Sequence, residues 1–430
     1  MGFALFILNR GHHGFILADL GEWFCSFPIP QHPDYASPMF LPLRSVPKNY
    51  AWGTLGAMSQ FTGVGRSDVP EAELWFGDHQ DSQCTIMTPN GGEDFPSWLK
   101  TSDTEFPLLV KLLAASQPLS IQAHPDESEA RRGLIREENA GIKIDDPQRT
   151  YKDASSKPEL IIALSDEFHA LWGFVPWSII NKRLDGLEAG GLSGEALSVL
   201  RESTQDSLED FVRWVLSSDG SVNVAVSGLQ EWAVKNPSSD IGASDAVDPW
   251  LVKKIADSHP GDPGILFTLV MHHVVLPRGE ALFVQPGEVH AYVEGFGLEV
   301  MLPSDNVVRA GLTTKHKNAL AFLELADFSS SEESPRFEPT SRGQELFYSD
   351  FGAAWEVMGL KNNADLELDE TSSLIMVESG SATVEGEGIS DGLSAGQVAF
   401  WAGQSGRIQT DENGHAWVVR PVSKARSEKR

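Results

Sequence analysis

Between Ser165 and Pro263 the hydrophobic pattern of this chain changes period, and that change restricts the architectures open to it. The runs "SLEDFVRWVLSS", "VSGLQEWAVKN" and "DPWLVKKIADS" space their apolar residues three and four apart, as amphipathic helices do. On either side, "SQCTIMT", "PELIIAL" and "GILFTLVMHHVVLPRGEALFVQPGEVHAYV" read as short strands punctuated by glycine and proline turns. A strand pattern that stops and then resumes makes residues 165–263 a helical insertion in one β domain, 39–164 plus 264–327. After "FSSSEESPRFEP", the stretches "SLIMVESGSATVEG" and "GQVAFWAG" open a second β region, 328–430, with the repeated strands and glycine turns of a jelly roll or related barrel.

The fold class expected is therefore mainly β with a helical insertion and two barrels. Residues 1–38 fit neither barrel: four prolines break "SFPIPQHPDYASP", and this segment is expected to be an extension outside the core fold. The only histidine of the C-terminal barrel is His415, so no ligand cluster can be assembled there. A structural or interface role is expected for it.

Composition narrows the partners. The 430 residues carry 33 basic against 61 acidic side chains, a formal charge of −28, which argues against nucleic acid or an anionic membrane. An anionic substrate would need a locally basic pocket. No apolar run approaches the roughly 20 residues of a membrane helix. The opening "MGFALFILNRGHHGF" has neither a basic start nor a small-residue cleavage site, so no signal peptide is expected. Two cysteines, Cys25 and Cys84, cannot form a disulfide framework and suit a reducing cytoplasm.

The stretch "SIQAHPD" carries the first chemical signal. In a strand, Ser120, Gln122 and His124 share one face, and Ile121 and Ala123 the other. The preceding "FPLLVKLLAASQPL" is strongly apolar, so those polar groups face a core and need partners, either backbone groups or a metal. In "SKPEL", Lys157 and Glu159 share a face; alone, such a glutamate is commonly a solvated strand end. In "RGEALFVQPGEVHAY", Gly279, Gly287 and His290 follow the spacing of the second cupin motif, with the proline one residue late at Pro286. Likewise Q-x-H stands where the first cupin motif has H-x-H. His79, His272 and His273 compete for a ligand role, but the adjacent pair points to opposite faces and at most one of them can reach an interior site. Two histidines, a glutamate and a glutamine without thiolate suit zinc, iron or manganese. Finally, "SDNVVRAGLTTKHKN" gathers Arg309, Lys315 and Lys317 in an acidic chain, with "RAGLTTK" read as a loop. Such a run is ordinarily a solvated surface, yet arginine is the side chain that grips phosphate through paired donors.

Taken in order, "NYAWG", "AELWFGDH", "QPLSIQAHPD", "KPEL", "HAY", "LEVM" and "SDNVVRAGLTTK" resemble type I phosphomannose isomerases, from about Asn49 to Lys315. The resemblance implies a zinc-containing cupin-type jelly-roll barrel, an inserted helical domain and a second C-terminal jelly-roll barrel. It places one Zn²⁺ per chain on Gln122, His124, Glu159 and His290, and the catalytic arginine on Arg309. It further implies an aldose-ketose isomerase that interconverts mannose 6-phosphate and fructose 6-phosphate through an enediol-like intermediate, in the cytoplasm and towards GDP-mannose biosynthesis. The chain departs from the family where "PGEVHAY" replaces "NEPHAY" and Thr314 replaces a proline; both changes touch loop shape only.

Lys111, Ser120, Lys157 and Asp305 are expected to contact the sugar phosphate or to move protons, with Glu299 as another candidate base. Lys111 sits in "LLVKLL", where burial alone would favour the neutral amine. Two rival readings belong to other classes. A cupin oxygenase would use similar ligands on redox-active iron, and a non-catalytic sugar-binding regulator would keep the barrel without the chemistry; the complete ligand set with Arg309 speaks against the regulator.

Overall fold

The computed structural model describes residues 40–422 apart from 64–67, 103, 218, 238–242, 335 and 350. The expected extension, 1–38, lies outside the described residues. The first barrel is organised by one long strand, His290–Met301. It begins between Ile121–Ala123 and Glu167–Phe174, with His290 opposite Gln122 and Trp172. Past Gly295 it changes partners and runs beside Leu109–Ala115 and Glu159–Ala163. The switch needs a glycine: Gly295 has φ 142°, and a Cβ there would lie 2.9 Å from Phe168 Cα. Glu73–Gly77, Met271–Pro277, Ala281–Val284 and Val308–Gly311 complete the antiparallel pairing, and a cupin-type jelly roll results.

Helices Trp177–Ala189, Gly194–Ser203, Leu208–Val215, Gly220–Lys235 and Pro249–Ser258 form the insertion. Their apolar stripes share one core with Ile121, Ala123, Val289, Ala291, Val308 and Ala310 of the barrel. Period-two alternation then turns the neighbours Gln122, His290 and Arg309 away from that core. The helices thus cover the outer face of the wall whose inner face carries the polar groups.

The boundaries differ from the expected ones at both ends of the insertion. "EFHALWGF" is strand Glu167–Phe174, buried along nearly its whole length because the sheet is covered on both sides. At the other end "GILFTLV" coils as Pro263–Leu266 and Phe267–Val270, and the strand starts only at Met271. Asp262 caps this turn and Pro263 opens it, a pairing that starts a helix whatever the β propensity that follows.

The second barrel packs a nine-stranded sheet with a four-stranded one. Three strands of the larger sheet come from far upstream: Phe40–Arg44 pairs with Val398–Trp401, and Thr85–Thr88 and Gly91–Asp94 extend the same edge. Leu41, Leu43 and Ile86 share a buried core with Val398 and Phe400, which holds these strands there. Among the described residues no helix is long and apolar enough to cross a membrane.

Candidate metal centre

His124, Glu159 and His290 converge from three separate strand ends, with ligand atoms all within 4.8 Å of one another. His124 Nε2 lies 3.3 Å from Glu159 Oε1, and His290 Nε2 lies 3.4 Å from Glu159 Oε2. All three side chains are buried. Yet among the described residues His124 Nε2 and Glu159 Oε2 have no hydrogen-bond partner. Burying unsatisfied polar atoms in a ring around one point costs free energy unless something else occupies that point.

The outer nitrogens explain the orientation. His124 Nδ1 donates to the Asn306 carbonyl at 2.8 Å, and His290 Nδ1 to the Glu288 carbonyl at 3.1 Å. A carbonyl can only accept, so each ring carries its proton on Nδ1 and aims the Nε2 lone pair inward, as metal-ligating histidines do. Burial, reinforced by Lys157, lowers the His124 pKa to about 4, so the ring is neutral. Burial opposes the charge of Glu159, but the Lys157 ammonium outweighs it and holds the carboxyl well below its ordinary range. Neutral imidazole and ionised carboxylate are the forms a metal ion binds.

Gln122 completes the ring. Its amide nitrogen lies 3.4 Å from His290 Nε2, and its Oε1 accepts from Ser120 Oγ at 3.0 Å. Turning the amide over keeps the link to Ser120, now with Nε2 donating, and points Oε1 at the centre; oxygen and nitrogen are distinguished only by such networks. The residues present therefore fit a metal ion with two imidazoles, one carboxylate and one amide oxygen, a set suited to zinc.

A cavity of about 880 Å³ opens beside the centre, and Lys111, Ser120, Gln122, Lys157, Asp305 and Arg309 all line it. The four expected substrate contacts and Arg309 are thus brought to one wall or another of the same space, whereas Glu299, the other candidate base, lies behind Lys111 and does not line it. Lys157 Nζ sits 2.5 Å from Glu159 Oε1, and Asp305 lies 3.4 Å from His79 Nε2. The hydrogen bond from His79 lowers the Asp305 pKa, against burial. Arg309 sits on strand Val308–Gly311, opposite Gln122, and not in a loop as its sequence suggested; the strand pairing fixes its direction. Among the described residues its guanidinium makes no hydrogen bond or ion pair, and burial lowers its pKa. A half-buried cation with five free donors beside a cavity is a ready anion site.

The expectation for Lys111 is overturned. Burial does press towards the neutral amine, but Glu299 at 2.9 Å and Glu73 at 3.6 Å outweigh it, and the pKa is raised. Glu299 is thereby held in an ion pair. The competing histidines are satisfied elsewhere: His272 donates to the Ser331 carbonyl at 3.1 Å, and His273 lies 3.1 Å from His169 and 3.3 Å from Asp248.

Sequence reasoning missed Glu73, Trp75 and Lys152 on the cavity wall and Asn306 behind His124. In "ELWFG", period-two alternation places Glu73 and Trp75 on one face and could have found them; Trp75 stacks under the ammonium groups of Lys48 and Lys111, 4.3 and 4.7 Å from its ring centre.

A jelly roll with this donor ring at the edge of a cationic cavity defines a metal-binding cupin. Residues 40–177 match the catalytic domain of phosphomannose isomerase type I. The mannose-6-phosphate isomerase of Salmonella typhimurium is 33% identical over 314 residues, 70% of this chain and 75% of that protein. That of Escherichia coli is 29% identical over 399 residues, 88% of this chain and 98% of that protein. A zinc-bound crystal structure of mannose 6-phosphate isomerase superposes with a TM-score of 0.79 at 26% identity, covering 90% of this chain and 100% of that one. The chain belongs to the type I phosphomannose isomerase family.

Proposed function

We propose that this protein is an aldose-ketose isomerase that interconverts mannose 6-phosphate and fructose 6-phosphate at a zinc centre held by Gln122, His124, Glu159 and His290. The observation that carries the reading is the junction of two features: a buried donor ring with unsatisfied inward atoms, and beside it a cationic cavity in a chain of net charge −28. A bound zinc ion would polarise or orient sugar oxygens, an effect worth several kcal/mol when charge develops on oxygen.

The chain's own residues supply the rest. Arg309 stabilises the negative charge that develops on oxygen as the proton leaves C2 or C1. Ser120 and Lys157, next to the ligands, hold the sugar hydroxyls, and ionised Asp305 is oriented by His79. Lys111, kept charged by Glu299 and Glu73, contributes positive potential. Lys315 and Lys152 share the same cavity and complement the phosphate group. The proton returns to the neighbouring carbon, so no redox cofactor is consumed. A cytoplasmic setting and a place ahead of GDP-mannose formation belong to the same proposal.

The test is metal analysis of the purified protein together with an assay of fructose 6-phosphate formed from mannose 6-phosphate. One zinc per chain with chelator-sensitive turnover is expected. Absence of turnover by zinc-replete protein overturns the reading.

A further inference from the structure

The helical insertion returns to the barrel at Asp262, and this residue reaches across to the segment that follows Arg309. Asp262 Oδ1 accepts from the Gly264 amide at 2.7 Å and from the Leu312 amide at 3.1 Å, while Oδ2 faces Lys317 Nζ at 3.8 Å. Leu312 is held in the left-handed region, φ 54°, which an L-residue with a branched side chain seldom adopts without an imposed constraint. The two backbones are in contact: a Cβ on Gly311 would lie 2.9 Å from Gly264 Cα and 3.2 Å from Asp262 Oδ1. A second tie runs nearby, with His259 Nε2 donating to the Pro118 carbonyl at 3.0 Å.

The turn at Leu312 decides where the chain goes next. Leu312, Thr313, Thr314 and Lys315 line the cavity, as does Arg309 three residues before. Lys315 lies at the exposed edge of that wall; desolvation and the like charges of Arg309 and Lys152 lower its pKa. Cations gathered in this way repel one another, so the wall that carries them must be held from outside.

We propose that Asp262 is a positioning residue: by fixing the backbone of Leu312 it holds the following segment, with Lys315, in the geometry that receives the substrate's phosphate group, and so couples the helical insertion to substrate binding. This rests on the phosphosugar reading above. The insertion is then part of the recognition apparatus and not only a cover for the barrel.

The test uses the full-length zinc protein. Asp262→Ala should raise KM for mannose 6-phosphate about tenfold and the inhibition constant of inorganic phosphate in step, with kcat within about threefold and zinc content unchanged. Asp262→Asn keeps an oxygen that can accept from both amides and should recover most of the loss, although it abolishes the charge. Amide hydrogen exchange read on the peptide spanning Leu312 should quicken at least about tenfold in Asp262→Ala. That readout needs no turnover, so the clamp stands or falls on it even if the parent protein proves inactive on mannose 6-phosphate. KM within twofold of the parent, or unchanged exchange at Leu312, overturns the proposal. Should Asp262→Ala fail to fold, Gly311→Ala forces the same two backbones apart while the Asp262 carboxylate is retained; it should raise KM in the same way, and an unchanged KM there is equally fatal.

Discussion

His124 and Asn306, 182 positions apart, are joined by a 2.8 Å hydrogen bond from the imidazole Nδ1 to a main-chain carbonyl. The bond fixes which nitrogen of His124 is free to bind a metal. It also ties the metal centre to the segment that carries Asp305 and Arg309.

Asn306 is itself immobilised: its Oδ1 accepts from the Lys152 amide at 2.8 Å, and its Nδ2 donates to the Asp153 and Ser155 carbonyls at 2.9 and 3.1 Å. Asn306→Ala frees both segments. Zinc affinity should fall about 10–100-fold, the scale set by outer partners of ligating histidines, as read by competition with a chromophoric chelator. Parent-like affinity would show that the carbonyl is held without the side chain.

Chelation should abolish activity and added zinc should restore it, while His290→Ala should lose the metal outright. Removing one of four ligands leaves an incomplete shell open to water. Stoichiometric zinc with parent-like turnover in His290→Ala would refute the ligand assignment.

Arg309→Met should lower kcat by about 10²–10³-fold with zinc content intact, the scale seen when one preorganised donor is removed. Lysine should rescue only in part, because it keeps the charge and loses the planar fork. Steady-state kinetics beside metal analysis decide the matter: unchanged kcat with intact zinc removes Arg309 from the mechanism.

Lys111→Met leaves Glu299 and Glu73 buried without their counter-charge. A loss of about 3–5 kcal/mol is expected in urea unfolding at pH 7.5, partly recovered by adding Glu299→Gln. A loss below about 1 kcal/mol would mean that water or relaxation screens the pair.

His272 predicts a pH dependence. Burial, with Arg183 nearby, lowers its pKa from 6.5 to about 4. As pH falls below 6.5 the unfolded chain takes up a proton that the folded chain refuses until about pH 4. The stability this neutral ring supports is therefore complete above pH 6.5 and is lost progressively towards pH 4. Between pH 7.5 and 5, the urea midpoint of the parent should drop further than that of His272→Gln. Parallel curves would contradict the assignment.

Much of this was legible in the linear chain because the donors lie on short strands. Gln122 and His124, like Lys157 and Glu159, are two apart, and period two puts each pair on one face whatever the rest of the fold does. The helical insertion announced itself by its period. What was hidden depended on distant partners. Lys111 is charged because of Glu73 and Glu299, which no local rule could place beside it. The groups behind the histidines are main-chain carbonyls of Asn306 and Glu288, and a carbonyl has no residue-type signature. Arg309 read as loop because glycine and threonine follow it, but pairing with Ile121–Ala123 made it strand.

The strand Phe40–Arg44 adds a consequence in time. Its partner, Val398–Trp401, lies near the far end of the chain. At ribosomal rates of roughly 5–20 residues per second, the first strand waits about 20–70 seconds for the second to be made. During that interval the catalytic barrel is synthesised and can close, while Leu41 and Leu43 still lack Val398, Phe400 and Val419, the late-made part of the core that buries them. The last strands to leave the ribosome therefore capture the first, and the nascent chain carries an open, apolar strand edge until they arrive.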